Sequence, residues 1–259
     1  MTEVLSSARN PKLKRLIALR EKSRMRRDEG VFVVEGRREL ERCIASGFEV
    51  ESVFVCPEIA GEDTCCARVF HLTKELYARA ACREGTEGIL AIVKSRQLSL
   101  DDLKPGKAPL IMVLESVEKP GNLGAVLRSA DAAGADAVIV CDPLTDLWNP
   151  NLIRASVGAV FTVPVVCCPS EEAIGWLKGH GIRILTAQLQ DSSLYYDCAM
   201  TGPTALVMGT EATGLTDIWR RAADSHIRIP MLGVEDSLNV SVSAAILLYE
   251  AVRQRQTAK

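Results

Sequence analysis

Short apolar runs, rich in Val, Ile and Leu, alternate with helical stretches along most of the chain. In the first hundred residues the runs occupy 31–34, 52–56 and 89–93, and helical patterns lie near 37–46 and 73–82. Five further runs occupy 110–114, 137–141, 182–187, 204–208 and 226–229. Near-continuous apolar strands are buried on both faces, so this alternation predicts an α/β fold whose parallel sheet is covered by helices.

The composition narrows the class of protein. The chain has 259 residues, of which 47% are hydrophobic and 25% charged, and its formal net charge is -2. These values are typical of a globular protein and exclude a wholly basic coat protein for nucleic acid. No apolar run approaches the roughly 18 residues of a spanning helix. No apolar stretch of signal-peptide length follows Met1, so we expect a cytoplasmic protein.

Nine cysteines and three histidines bear on metal and redox chemistry. The cysteine count is odd, and none has the Cys-x-x-Cys spacing that is typical of zinc sites and redox dithiols. The histidines, at 71, 180 and 226, lie far apart in sequence. We therefore predict no metal site, and we interpret most cysteines as small buried hydrophobic residues.

A polar stretch near residues 96–107 divides two regions that each alternate strands and helices. It carries Pro105 and Gly106, and Pro109 follows it closely. Such residues favour a connecting segment over a regular element. The prediction is a first domain over 1–98, a linker over 99–107 and a second domain over 108–259.

Positive charge is concentrated in the segment Arg9–Arg27, which has nine basic residues and a single acid, Glu21. Its Leu and Ile residues recur at helical spacing, which predicts a basic amphipathic helix. A positive density of this kind favours binding to phosphate backbones. A purely solvated helix face remains an alternative. A membrane surface is a weaker one, because the segment has no Trp or Phe.

The first of three motifs follows the strand at 110–114. The sequence Pro120–Gly124 predicts a tight turn into a helix, and free backbone N–H groups at such a helix start can bind a ligand. Arg128 lies about one turn into this helix. A simple turn with a surface arginine is the alternative.

The second motif, residues 205–219, follows another strand. Gly209 and Gly214 have the spacing of a phosphate-binding P-loop, but Leu215 stands where that loop requires lysine. A nucleoside triphosphatase is therefore disfavoured. The chain also lacks a Gly-x-Gly-x-x-Gly fingerprint, which argues against an ordinary dinucleotide-binding fold.

The third motif, residues 226–254, begins with a strand that ends at Ile229–Met231. A loop follows, and then a long helix from about Ser237 to Gln254, capped by Ser237 or a neighbour. Asn239 is a second polar residue at this helix start, where capping is the default role.

Taken together and in this order, the motifs resemble those of the SpoU branch of the SPOUT methyltransferases, also called the TrmH family. Asn122, Gly124 and Arg128 match the first family motif. The second and third motifs match at Gly209, Glu211, Gly214 and Leu215, and at Ile229–Met231 and Ser237–Ser241. The match runs continuously over residues 110–254. Residues 29–56 further resemble the substrate-binding domain fused to many of these enzymes, a small α/β/α domain like an RNA-binding ribosomal protein.

The resemblance implies a trefoil-knotted catalytic domain that binds S-adenosyl-L-methionine mainly through main-chain groups. Knots are rare exceptions among protein folds. The family is homodimeric, and the apolar helix over 238–252 would suit the interface. Carried over residue by residue, the cofactor-binding positions are Thr186, Gly209, Ile229, Met231, Leu238 and Val240.

The implied reaction is methyl transfer to a ribose 2′-hydroxyl of RNA, a weak nucleophile until it loses its proton. The family assigns this step to the arginine, here Arg128, but a guanidinium normally stays protonated. We prefer Arg128 as a cation that lowers the hydroxyl pKa, with a substrate phosphate receiving the proton. The residues expected to orient it and the ribose are Asn122, Glu211, Ser237 and Asn239.

The first domain is expected to bind the RNA. The fused domain favours ribosomal RNA over transfer RNA, and the 2′-hydroxyl requirement selects RNA over DNA. The alternative is an RNA-binding or ribosome-associated protein whose catalytic half is inactive; the intact motif residues argue for the enzyme. The predicted RNA contacts are Lys12, Lys14, Arg15, Arg24, Arg26 and Arg27.

Overall fold

The computed structural model describes residues 2–61, 68–82, 87–210 and 213–257. The chain divides into two compact units. Unit 1 comprises Met1–Arg96 with Asp146–Thr162, and unit 2 comprises Gln97–Thr145 with Val163–Lys259. A segment between two strands of the second region thus belongs to the first unit.

The elements are numbered in chain order. The strands are β1 (Thr2–Leu5), β2 (Val31–Glu35), β3 (Val50–Val55), β4 (Val69–Leu72), β5 (Ile89–Lys94), β6 (Leu110–Glu115), β7 (Ala137–Cys141), β8 (Val165–Cys168), β9 (Arg183–Ala187), β10 (Ser193–Leu194), β11 (Thr204–Met208) and β12 (Ser225–Arg228). The α-helices are α1 (Pro11–Glu21), α2 (Ser23–Glu29), α3 (Arg37–Ala45), α4 (Pro57–Ala60), α5 (Lys74–Ala80), α6 (Pro120–Ala133), α7 (Pro150–Ala155), α8 (Ala159–Thr162), α9 (Ser170–Gly179), α10 (Asp217–Ala222) and α11 (Val240–Thr257).

Unit 1 is built on a five-stranded sheet in the order β1-β4-β3-β5-β2. The β1–β4 and β3–β4 pairs are parallel, whereas β5 pairs antiparallel with both β2 and β3. Side chains alternate between the two faces of a strand. Val31 and Val33 therefore join the core under α1 and α5, while Phe32, between them, lies on the other face.

Aromatic side chains cover that second face of unit 1. The ring of Phe32 stacks on Trp148 with centroids 4.4 Å apart, and Phe48 meets Trp148 edge-on at 5.7 Å. Phe161, near the end of the same segment, lies 5.9 Å from Phe32. Residues 146–162 thus supply part of the core of unit 1, which explains why they belong to it.

The predicted basic helix is two helices. Asn10 caps α1 by accepting the N–H of Lys12, and Pro11 occupies the first helical position. The backbone then turns extended at Lys22, with φ -110°, before α2 begins. The apolar face is as predicted, because Leu13, Leu16 and Leu19 are fully buried.

Unit 2 is built on a seven-stranded sheet in the order β10-β12-β9-β11-β6-β7-β8, and every recorded pairing is parallel. One face packs on α9 and α10, and the other on α6 and α11. The predicted α/β class with a parallel sheet is confirmed. The long last helix begins at Val240, three residues later than predicted, because Asn239 is its cap.

The described residues also bear on membranes and metals. No helix among them is both long and apolar enough to cross a membrane. Within the same part of the chain, no group of three or more His, Cys, Asp or Glu side chains is arranged to hold a metal ion. No disulfide joins the cysteines that the structure describes.

Candidate active site

The main cavity of unit 2 lies at the carboxyl edge of its parallel sheet, where ligands bind in open α/β folds. It encloses about 340 Å³. Its walls come from the ends of β9, β11 and β12, the loops that follow them, and the start of α11. The three loops belong to neighbouring strands, so residues distant in sequence meet here.

The loop after β11 is held by a close backbone approach. A Cβ placed on Gly209 would lie 2.2 Å from the carbonyl oxygen of Gly214, so no side chain fits there. Gly214 has a φ of +68°, which favours glycine. The N–H of Gly214 donates to the carbonyl of Thr210 at 3.0 Å. Both glycines of the second motif are therefore required by the shape of this loop.

The first and third motifs meet at the starts of two helices. The Asn239 amide nitrogen donates to Oδ1 of Asn122, on α6, at 3.2 Å. Asn239 Oδ1 also caps α11 by accepting the N–H of Ser241 at 3.0 Å. One side chain thus acts as a helix cap and as a link between motifs 117 residues apart.

A second cavity of about 130 Å³ adjoins this link. It shares Gly209, Thr210 and Val240 with the main cavity. Its remaining wall is the turn from Val117 to Asn122. The two cavities therefore share a wall at the end of β11 and the start of α11.

The main cavity contains polar groups suited to a charged, hydrogen-bonding ligand. Gln188 donates its amide nitrogen to the carbonyl of Gln190 at 2.9 Å, which fixes the orientation of the amide. Its Oε1 is buried and has no hydrogen-bond partner among the described residues. A buried acceptor without a partner is uncommon, and it adds a polar atom to this side of the cavity. Arg220, Arg228 and Asp236 add charges of both signs to the wall.

Five of the six predicted cofactor positions line the main cavity: Gly209, Ile229, Met231, Leu238 and Val240. Thr186 does not line it. Thr186 is fully buried, and its hydroxyl shares a hydrogen bond of 2.6 Å with Nδ1 of His226. It supports the end of β9, just before the lining residue Ala187.

The predicted catalytic residues are not all brought together. Asn122 lines the second cavity and Ser237 lines the main one, where its hydroxyl donates to Asp236 at 3.1 Å. Arg128 is exposed on α6 and lines neither of these cavities. Glu211 lies outside the described residues.

Four of the six predicted RNA contacts of unit 1 lie within ion-pair distance of acids, and two of them form pairs of part-exposed side chains. Lys12 bonds Glu3, and Arg15 donates to Glu29 at 2.7 Å and to Glu51 at 2.5 Å. The Arg15 hydrogen bond lowers the pKa of Glu51 below its usual range. These pairs reduce the positive charge that the segment presents to a partner.

The remaining predicted contacts differ sharply in exposure. Lys14 and Arg27 are exposed, and the described residues give them no ion pair. Arg24 is 88% exposed and lies 3.5 Å from Asp28. Arg26, by contrast, is 3% exposed, with its Nε donating to Asp146 at 2.7 Å and its guanidinium bonding the Leu19 carbonyl. The prediction that Arg26 contacts RNA is wrong, because this buried side chain holds residues 146–162 to α1.

Sequence reasoning missed Gln188, Arg220 and Thr210 as site residues. A usable signal was their position, since Gln188 directly follows the predicted strand at 182–187 and Thr210 follows the strand at 204–208. Arg220 had no such signal, because only the fold places the start of α10 beside the cavity.

The fold and the two adjoining cavities define an α/β protein that binds a small ligand in loops at the carboxyl edge of a parallel sheet. Residues 109–249 match the model of the SpoU rRNA Methylase family, and residues 10–91 match an MRM3-like substrate binding domain. The chain therefore belongs to the SpoU rRNA methylase family, which confirms the resemblance inferred from the three motifs.

Individual relatives agree along nearly the whole chain. A 23S rRNA (guanosine-2'-O-)-methyltransferase, RlmB, of Vibrio parahaemolyticus is 34% identical over 89% of this chain and 95% of that protein. The crystal structure of an RNA 2'-O ribose methyltransferase has a TM-score of 0.85 and 37% identity, covering 99% of this chain and all of the other. An AdoMet-bound rRNA methyltransferase from Sinorhizobium meliloti has a TM-score of 0.89 and 28% identity, covering 97% of this chain and 98% of the other.

Proposed function

We propose that the protein is an S-adenosyl-L-methionine-dependent methyltransferase acting on a ribose 2′-hydroxyl of ribosomal RNA. The observation that carries this is the pair of adjoining cavities, one lined by five of the six predicted cofactor positions and the other by Asn122. The named relatives act on rRNA or on RNA 2′-oxygens, which supports the substrate class and favours the enzyme over an inactive RNA-binding protein.

The main cavity fits S-adenosyl-L-methionine. Gln188 contributes a polar amide to the wall, and the Arg220 and Arg228 guanidinium groups suit a carboxylate. Gly209, Ile229 and Leu238 line this cavity, and their backbone groups are the contacts that the family resemblance implies. When bound, this cofactor supplies an electrophilic methyl group.

The second cavity suits the acceptor ribose. Asn122 is held by Asn239, so its amide is oriented before RNA arrives. Arg128, exposed on the same helix, is accessible to an RNA chain and would lower the pKa of the 2′-hydroxyl as a permanent positive charge. Glu211, Ser237 and Asn239 complete the predicted orienting set, and a substrate phosphate receives the proton.

Unit 1 captures the RNA. Its exposed cations Lys14, Arg24 and Arg27 are the predicted contacts that remain available, and the match to a substrate binding domain supports this role. The domain limits predicted from the sequence, 1–98 and 108–259 about a linker at 99–107, stay part of this proposal, except that residues 146–162 belong to unit 1.

The proposed assembly is a homodimer. Leu232 and Val234 are almost completely exposed in the loop before α11, and Val242 and Tyr249 are half-exposed on α11 itself. The last two are seven residues apart and share a helix face. A second copy of this chain would cover such a surface, which soluble monomers seldom expose.

Two further features complete the proposal. The trefoil knot implied by the resemblance is supported by the strand order, in which β9 lies between the later strands β11 and β12. A cytoplasmic location follows from the rRNA substrate.

The experiment uses rRNA from cells with and without the gene. Purified protein and labelled S-adenosyl-L-methionine should methylate only the rRNA from cells without it, and digestion should yield one 2′-O-methyl nucleotide. A transcript with a 2′-deoxy residue at that position should accept no label. Label on a base, or on tRNA instead, would contradict the assignment, and a chain that binds no cofactor in calorimetry would favour the inactive alternative.

A further inference from the structure

Glu115 is a buried carboxylate at the end of β6, and the motifs do not include it. The residue is only 3% exposed. Burying a charge is costly unless hydrogen bonds compensate it, so its partners indicate why it is there.

The closest partners of Glu115 both belong to Thr216. The Thr216 N–H donates to Oε2 of Glu115 at 2.8 Å, and the Thr216 hydroxyl donates to Oε1 at 2.6 Å. Thr216 is the cap residue of α10, but its side chain makes no capping bond there. The hydroxyl therefore bonds Glu115 at the end of β6 and does not cap α10.

The other neighbours of Glu115 form a separate part of the network. The Ser170 hydroxyl lies 2.6 Å from Oδ2 of Asp142 and 3.4 Å from Glu115, so its single hydrogen goes to Asp142. Ser170 in turn accepts the indole N–H of Trp219 at 3.0 Å. This part stabilises the core and does not touch the loop.

Thr216 ends the loop that begins at Gly209. At its beginning, Gly209 packs against the Gly214 backbone, and Thr210 and Gly214 exchange backbone hydrogen bonds. At its end, the two bonds to Glu115 fix the residue that follows Gly214 and Leu215, which both line the main cavity. The loop is thus held at two points, one within itself and one on the sheet.

We propose that Glu115 is a positioning residue for cofactor binding, because it anchors Thr216 and so holds the Gly214–Leu215 wall of the main cavity. This rests on the proposed function, in which that cavity binds S-adenosyl-L-methionine. Glu115 does not touch the reacting atoms, so its effect is on cofactor affinity and not on the chemical step.

The test measures the affinity for S-adenosyl-L-methionine by calorimetry and the turnover at saturating cofactor. Glu115→Gln removes the negative charge that strengthens both bonds, and the Thr216 hydroxyl must turn to accept from the new amide N–H₂, so the Kd should rise about tenfold. Thr216→Val, which lacks the hydroxyl, should also raise the Kd. Thr216→Ser, which keeps the hydroxyl, should have the Kd of the unaltered chain. Turnover at saturation should change less than about twofold in all three variants.

Ser170→Ala is the matched control. It alters the same buried network and should lower the Tm by leaving the Trp219 N–H without its partner, yet it keeps both Glu115–Thr216 bonds. Its Kd should equal that of the unaltered chain. Amide hydrogen exchange at residues 213–216, measured without cofactor, should be faster in Glu115→Gln and unchanged in Ser170→Ala.

The outcomes separate this inference from the proposed function. An unchanged Kd and unchanged exchange in Glu115→Gln, or an equal rise of the Kd in Ser170→Ala, would overturn the positioning role. An unaltered chain that binds no S-adenosyl-L-methionine would overturn the proposed function, while the exchange measurement would still decide whether Glu115 anchors the loop.

Discussion

The cavity edge of unit 2 and the basic segment of unit 1 were both predicted from local sequence. The structure agrees more closely with the prediction at the cavity edge than in the basic segment. Five of six cofactor positions line one cavity. In the basic segment, Lys12, Arg15 and Arg26 pair with acids, and Arg26 is buried. The glycines at the cavity act through the backbone, whose geometry is set within a few residues. A cation acts through its surroundings, which include acids as distant in sequence as Glu51 and Asp146.

The largest effect should come from breaking the buried pair in unit 1. Arg26→Met leaves Asp146, whose side chain is 10% exposed, without its cation. Removing one partner of a buried pair costs about 3–5 kcal/mol, which urea denaturation would measure. Arg24→Met, at an 88% exposed side chain, should cost less than about 1 kcal/mol. Equal losses of unfolding free energy would contradict the claim that the buried Arg26–Asp146 pair contributes more to stability than the exposed Arg24.

Substitution of Arg128 tests the catalytic role proposed for it in unit 2. If Arg128 is the proposed cation that acts on the 2′-hydroxyl, Arg128→Ala should lower kcat/KM about 10²–10³-fold, roughly 2.7–4 kcal/mol. The cofactor Kd should stay the same, since Arg128 lines neither cavity. Arg221→Ala, an exposed arginine on α10, is the control and should keep its activity. Near-normal turnover of Arg128→Ala on its own rRNA would contradict the assignment.

The fold was predictable where a strand or helix is long and regular. The runs at 137–141 and 204–208 coincide with β7 and β11. Four strands of four residues or fewer were not predicted, namely β1, β4, β8 and β10. Such short runs give a weak pattern, although the equally short β12 was predicted. Gln188 and Glu115 were missed for another reason. Their roles depend on Gln190 and Thr216, and the Thr216 contact lies 101 residues away in sequence.

Substitution of Gly209 tests whether the backbone of its loop determines the shape of the main cavity. In Gly209→Ala the new Cβ would lie 2.2 Å from the Gly214 oxygen, so the loop must shift. The cofactor Kd should rise about tenfold or more, since a displaced wall loses several contacts at once. Gly175→Ala, in α9 with nothing within 4 Å of the added carbon, should keep the Kd and stabilise the fold by about 0.5–1 kcal/mol. The same Kd for both variants would show that this approach does not shape the site.

The smallest expected effect concerns the cations that remain exposed in unit 1. If Lys14, Arg24 and Arg27 contact phosphates, each contact releases counterions when RNA binds. The logarithm of the RNA affinity then falls with the logarithm of salt by about 0.7–0.9 per contact. Replacing all three with Ala should flatten this slope by about 2 to 3 and weaken binding most at low salt. Fluorescence anisotropy with a structured rRNA fragment measures both.

A charge-matched control decides whether the contacts are local. Replacing Lys104, Lys107 and Lys178 of unit 2 removes the same charge, so a general field effect would weaken RNA binding equally in both triple variants. Arg26 should be left intact in both, because its loss would destabilise unit 1 and lower the affinity for an unrelated reason. If the two triple variants give the same slope as the unaltered chain, the basic segment is only a solvated face, and unit 1 must bind RNA elsewhere. A slope that flattens only when Lys14, Arg24 and Arg27 change would show that exposure, and not charge count, identifies the RNA contacts in this segment.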